Sequence, residues 1–365
     1  MVTNLAAQAA RLAEQTQQYP FKVWGFGEGI ALEALWEASH VLGDARCADF
    51  VSGIFARWLA REPRLTEADH SAPGELLLTV YEATGDDRLL ALARDLAAHM
   101  QGLPVEPGSG ARLHRPQHPD YHDYLYVDCM EVDAPFLCKL AAITGEPALY
   151  DDAARQILGY CALLFDAQAG LFNHQVDRAT GRVNGAFWGR GNGWALLGLL
   201  KTLRLLPVDH PAYAPILTHY QRLAGALAAH QSSDGTWPTV IDRPTTYAEA
   251  SLPAMFGWGL AQGIRHGLLS PEFAPVVLRA WEAVTARLDD GLLPGVSVAT
   301  PPGDAAHYDR IATGAGYPWG QGPALLLYLT RLTAPEVAIT GAGTLVNRQL
   351  DGNLSIRSRA VAIEA

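Results

Sequence analysis

Apolar residues recur along the chain at spacings of three and four, and the strict alternation of strands is scarce, so the pattern predicts helices almost throughout. Trp194, Leu197, Leu200 and Leu203 form one helical stripe, which Leu196 and Leu199 widen. Residues 31–42, 75–84, 135–144 and 253–267 carry the same periodicity. The first three of these segments stop at Gly43-Asp44, Gly85-Asp86 and Gly145-Glu146. In each pair the Gly suits a left-handed C-terminal cap, and the acid suits the start of the next helix. Pro207-Val-Asp-His-Pro-Ala-Tyr213 and residues 267–273 supply two further turns.

The repeating unit is thus a helix, a tight turn, a second helix and a longer loop. Five units are clear, and a truncated sixth begins near Gln321. Hairpins of this kind bury their apolar faces only against neighbours. Six of them predict an all-α fold, an (α/α)6 barrel with first helices inside and second helices outside. An open helical solenoid is the alternative. No Ser/Gly-rich or charged linker divides the chain, which predicts one domain over residues 1–339. The tail, 340–365, lacks the repeat and receives no role.

Polar, aromatic and Gly-rich clusters share one place in the repeat, just before the first helix of each hairpin. They are Trp24-Gly-Phe-Gly-Glu28, Asp69-His-Ser-Ala-Pro-Gly74, Tyr126-Val-Asp128, Trp188-Gly-Arg-Gly-Asn-Gly-Trp194, Tyr247-Ala-Glu-Ala-Ser251 and Tyr317-Pro-Trp-Gly-Gln321. If the hairpins close into a ring, all six loops meet at one end and build one pocket. Trp24, Tyr126, Trp188, Trp194, Tyr247 and Trp319 would line it, with flat faces suited to sugar rings and with Asp, Asn192, Arg and His reading hydroxyls and carboxylates. Aromatic plugs of the core are the plainer reading of any single one.

Arg190 sits in a loop of alternating glycines that feeds a helix, where a bidentate pair with a carboxylate is possible. Asp128 lies in an apolar, aromatic run, an expensive place for an acid unless it has a partner or a raised pKa, which suits a general acid. Its alternative is a helix cap. Asp133 reads as the N-cap of a helix whose first turn holds Pro135. His174 follows a Gly170 turn and, taken alone, is more often a structural residue.

A net charge of −11 argues against nucleic acid as a partner, though not against a small acidic ligand met by a local cation. With 49% hydrophobic and 18% charged residues the chain can bury a large core, and no stretch predicts a membrane span. The N-terminal residues do not read as a signal peptide, and Cys47, Cys129, Cys138 and Cys161 fit no zinc spacing. Reduced cysteines and a cytoplasmic location are expected. No Gly-x-Ser-x-Gly elbow and no set with metal-ligand spacing is present.

At Trp188–Trp194 the sequence resembles glycoside hydrolase family 105, the unsaturated rhamnogalacturonyl hydrolases, related to the family 88 unsaturated glucuronyl hydrolases. The likeness runs from about Trp24 to Leu332. Val127-Asp128 with Pro135-Phe-Leu137 is similar to the family's Asp-containing segment, and Gly170-Leu-Phe-Asn-His174 to its Gly-Leu-x-x-His turn. Gln231-Ser-Ser-Asp-Gly-Thr-Trp237 and Tyr247-x-Glu-x-Ser251 with Ala254-Met255 resemble two further motifs. Tyr126 stands where many relatives have Trp, and Ala250 replaces the first Ser of a Ser-Ser pair.

The resemblance implies an (α/α)6 barrel and a hydrolase that frees a 4,5-unsaturated uronic acid from lyase-generated oligosaccharides. It does so by hydrating the C4=C5 double bond, without a metal or cofactor. It implies Asp128 as general acid/base, Asp69 as the second acid on a thin motif, and His174, Arg190 and Trp194 as substrate-binding. A sugar epimerase on the same barrel would instead need paired histidines, for which His70, His122 and His174 are the candidates. A non-catalytic helical scaffold is the other competitor. The oligomeric state is not legible.

Overall fold

The structure, a computed structural model, describes residues 2–22, 25, 27–61, 65, 73–118 and 121–334. Trp24, Asp69, His70 and the tail 340–365 lie outside the described residues. Six inner helices are α2 (Gly29–Val41), α4 (Gly74–Thr84), α6 (Cys129–Thr144), α8 (Gly189–Leu205), α10 (Ser251–Arg265) and α13 (Pro318–Thr333). Six outer helices are α1 (Val2–Thr16), α3 (Ala45–Leu59), α5 (Asp87–Gln101), α7 (Pro147–Leu164), α9 (Tyr213–Ala229) and α11 (Ala274–Arg287), and a short α12 (Ala305–Tyr308) lies in the last long loop. Each inner helix packs on the next, and α13 packs back on α2, so the ring closes as an (α/α)6 barrel.

Burial separates the two layers. Every residue of α8 from Gly189 to Leu203 is buried, as an inner helix covered on all sides requires. Its outer partner α9 buries one stripe, Ile216, Tyr220, Leu223, Ala224 and Leu227. The tight turns form as the Gly-acid pairs predict. Gly43, Gly85 and Gly145 take φ of 68°, 68° and 72°. Asp44 and Asp86 cap the following helices by accepting from the backbone N–H of Arg46 and Arg88.

Two expectations are corrected. The sixth hairpin is not truncated, because its outer helix is α1, contributed by the other end of the chain. α1 packs on α13, and Arg11 forks onto Asp290 at 2.9 and 2.6 Å. Asp133 is not an N-cap. α6 begins at Cys129, four residues earlier than Asp133, and Asp133 is buried within it. Pro135 therefore lies inside the helix, where it lacks the N–H that would reach Glu131. The inner position of α6 makes this tolerable, since tertiary packing on α7 and α8 outweighs one lost bond.

Candidate active site

The inner helices all start at one end of the barrel, and there the long loops enclose a cavity of about 920 Å³. Gly27 and Glu28 come from the start of α2, Asp128 and Cys129 from α6, Trp188, Arg190 and Trp194 from α8, and Trp319 from α13. The N-termini of α2, α6, α8 and α13 give it a positive bias despite the net charge of −11. Lys22 and Arg115 add to that at the lining.

Asp128 is the residue before α6, and its side chain makes no capping bond. The cap alternative is thereby removed. A two-stranded ribbon brings its partner. β1 (Tyr124–Tyr126) pairs antiparallel with the strand Gln175–Asp177, and the N–H of Val127 donates to the carbonyl of His174 at 2.9 Å. Nε2 of His174 then lies 3.1 Å from Oδ2 of Asp128. That oxygen is buried, and the contact is out of line for a hydrogen bond. The other ring nitrogen, Nδ1, is 2.6 Å from the hydroxyl of Tyr308. Trp188 stacks on the imidazole at 4.3 Å and on Tyr308 at 5.9 Å, and Tyr126 meets the imidazole edge-on at 6.1 Å.

Arg190 lines the cavity but its guanidinium is occupied. One terminal nitrogen donates to Glu249 Oε1 at 3.3 Å, to the Ser297 carbonyl at 3.2 Å and to Ser297 Oγ at 2.5 Å. The other donates to the Val298 carbonyl at 2.9 Å and Thr300 Oγ1 at 2.8 Å. Its Cζ lies 4.8 Å from the Trp188 ring and 5.5 Å from that of Trp319. Burial holds its pKa below the usual arginine range, against the pull of Glu249. The open bidentate fork expected from the sequence is spent on the wall 297–300, because Glu249 and that loop surround it.

Asn192 is likewise turned inward. Its Oδ1 accepts from the Phe172 N–H at 2.8 Å, and its Nδ2 donates to the Phe172 and Trp188 carbonyls, both at 3.0 Å. It is fully buried, outside the cavity lining, and ties α8 to the His174 turn. Tyr247 also lies off the lining, whereas Tyr126, Trp188, Trp194 and Trp319 are on it. His122, a candidate for a paired-histidine site, sits 2.9 Å from Asp123 and is not among the lining residues.

Two positions at or beside the cavity were not singled out by the sequence. Tyr308 follows Pro301-Pro302-Gly303-Asp304 in a loop with no distinguishing motif, and only the fold brings it to His174. Glu28 belongs to the first cluster, but nothing marked it within that cluster. Burial raises its carboxyl to about 7, opposed by the Lys22 N–H that donates to it at 2.7 Å.

A model of "Glycosyl Hydrolase Family 88" matches residues 4–334. The chain is 26% identical over 320 residues to the unsaturated rhamnogalacturonyl hydrolase YesR of Bacillus subtilis (strain 168), covering 86% of this chain and 91% of that protein. Its fold superposes on a possible member of the GH105 family from Salmonella enterica subsp. enterica serovar Paratyphi A with a TM-score of 0.84 at 21% identity, covering 91% and 94% of the two chains. It superposes on the unsaturated glucuronyl hydrolase of Bacillus sp. GL1 with a TM-score of 0.71 at 20% identity, covering 93% and 98%. With the barrel closed, the carboxyl of Asp128 set against His174 and the family model spanning nearly all the described chain, the protein belongs to glycosyl hydrolase family 88.

Proposed function

We propose that this chain releases a 4,5-unsaturated uronic acid from the non-reducing end of lyase-generated oligosaccharides, as an unsaturated rhamnogalacturonyl hydrolase-like enzyme. The observation that carries this reading is a carboxyl in the lining of a sugar-sized aromatic cavity. Asp128 is uncommitted to helix capping and faces His174 there.

In this reading Asp128 gives a proton to C4 and then takes one from the water that adds at C5. The product is a hemiketal at C5. Opening of its ring frees a ketone at C5 and leaves a hemiacetal at C1, which expels the remaining sugar. Net, one water is consumed. Trp319, half-buried at the lining, meets a sugar ring, whereas the buried Trp188, Trp194 and Tyr126 shape the wall, and His174 faces the acid. Arg190 shapes the wall and lends its charge, and Asn192 acts only through the His174 turn. The helix N-termini, Lys22 and Arg115 attract the uronate carboxylate. Asp69 and Trp24 are assigned as second acid and stacking residue on the sequence motifs. The ring acts as one catalytic unit over 1–339. Four buried, unpaired cysteines suit a reducing compartment, which supports a cytoplasmic enzyme. No helix among the described residues is long and apolar enough to cross a membrane.

Unsaturated uronates absorb in the near ultraviolet through the C4=C5 bond. A panel of lyase products from pectin, ulvan-like polymers and glycosaminoglycans is expected to be bleached, rhamnose-linked substrates fastest. In heavy water the released sugar should carry deuterium at C4. Failure to bleach any of them, or a product free of deuterium at C4, would overturn the reading.

A further inference from the structure

Tyr308 is the meeting point of three groups, and their chemistry leaves its hydroxyl proton one place to go. The backbone N–H of Gly303 donates to the phenol oxygen at 3.1 Å. Nδ2 of Asn184 donates to it at 3.0 Å. The orientation of that amide is set by its surroundings, since Oδ1 accepts from the N–H groups of His174 at 3.2 Å and Gln175 at 3.3 Å, while Nδ2 also donates to the Gly303 carbonyl at 2.9 Å. Two donors occupy the lone pairs of the phenol oxygen. Its own O–H must therefore donate, and the acceptor in reach is Nδ1 of His174 at 2.6 Å.

We propose that Tyr308 locks His174 as the neutral tautomer with its proton on Nε2, and so sets the polarity of the ring edge that faces Asp128. A neutral imidazole has one N–H. With Nδ1 accepting, that N–H is on Nε2, the nitrogen 3.1 Å from Oδ2 of Asp128. The ring thus turns an N–H, and not a lone pair, toward Oδ2, which favours the transferable proton on Oδ1 although the pair is out of line for a hydrogen bond. Burial agrees with this division. Oδ2 is shielded from solvent, while the side chain as a whole keeps 16% exposure. After proton transfer the same N–H dipole lies close to the carboxylate and favours its charge. Tyr308 and Asn184 are positioning residues that act through His174. Tyr308 stays a phenol across the working pH range, because burial pushes its pKa up.

The consequence for the acid rests on the proposed role of Asp128, whereas the tautomer does not. The test is nitrogen-15 NMR of histidine-labelled protein, with the His174 signals assigned by their loss in His174→Gln. Wild type should show a pyridine-like Nδ1 and a pyrrole-like Nε2. Asn184→Asp replaces a donor by a carboxylate that captures the phenol proton, so Nδ1 should become the N–H bearer. Tyr308→Phe should leave a mixture of tautomers. In both variants kcat should fall roughly 10–100-fold, within the range of misplaced acid catalysis, with KM moving less than twofold and the pH profile of kcat displaced. A wild-type Nδ1–H signal, or unchanged His174 signals in both variants, would overturn the proposal. The ultraviolet and deuterium assays report on the hydrolase reading separately, so a correct tautomer in an enzyme without that activity would sink only the catalytic consequence.

Discussion

Asp128 and His174 are close because a short ribbon crosses from one hairpin unit to the next, and the carboxyl is left without a capping duty. That geometry makes Asp128→Asn a clean substitution. The amide is nearly isosteric and no capping bond is lost, so the melting temperature should stay near wild type. Turnover should drop about 10²–10⁴-fold, the usual worth of a positioned acid. Activity within a few-fold of wild type would remove Asp128 from the chemistry. Arg190 calls for a different expectation. Its planar fork serves five acceptors, and lysine, with a single nitrogen, can serve at most three. Arg190→Lys should loosen the 297–300 wall and raise KM. Arg190→Ala should do so more strongly and should leave Glu249 buried without its counter-charge, at a cost of about 3–5 kcal/mol. An alanine variant that melts with wild type would show that the guanidinium anchors nothing.

Among the elements, α6 and α8 carry the acid and the aromatic loop, and their spacing is set by a single glycine. A Cβ built on Gly198 of α8 would fall on the Met130 carbonyl of α6. Gly198→Ala should force the two helices apart and cost about 1–3 kcal/mol, as overpacking does, read from the denaturant midpoint. Because Asp128 lies at the head of α6, kcat should fall in parallel. An unchanged midpoint would mean that the helices are not in contact there. This is also the scale at which the periodic pattern misled. Pro135 reads as a first-turn residue because proline favours that position, yet it sits in the middle of α6. Burial on every side of an inner helix compensates for a bond that an exposed helix would need.

Across the whole molecule, a second cavity of about 350 Å³, which shares Gly27 with the aromatic one, holds a buried charge cluster between the inner helices. Lys201 of α8 reaches Glu33 of α2 at 2.5 Å, Glu131 of α6 at 2.7 Å and Glu75 of α4 at 3.4 Å. Four inner helices are tied through one ammonium group. Burial raises the carboxyls of Glu33 and Glu131, the latter to about 7, and Lys201 opposes that rise. Lys201→Met removes the counter-charge, so the folded-state pKa values of these acids climb further above their unfolded values. The folded state then binds more protons than the unfolded state, and stability falls as pH rises through the folded pKa values. The variant should lose about 3–5 kcal/mol at neutral pH and recover part of it on acidification from pH 7 to pH 5. A melting temperature independent of pH over that window would refute the network. The ring itself closes through both chain ends, α1 packing outside α13. Gly291, at φ 79°, makes room for this, because a Cβ there would meet the Arg11 carbonyl at 2.7 Å.

The amino-acid sequence alone determined what is local or repeated. Helical periodicity, the Gly-acid turns and the six clusters at one phase of the repeat specify hairpins, a ring and a pocket at one end, since each depends on residues within a turn or two of one another. It also marked Asp128, His174, Trp188, Trp194 and Trp319, whose residue types at those loop positions are informative in themselves. Tertiary structure decided the pairings between distant segments. Tyr308 joined His174 across 134 residues, Arg190 was drawn into the 297–300 wall, Asn192 was turned onto the Phe172 backbone, and α1 became the sixth outer helix. A side chain's partners depend on which buried polar groups the closed ring leaves within about 3 Å of it. That distance is set by how the helices pack, and nothing in the linear spacing of the residues encodes it.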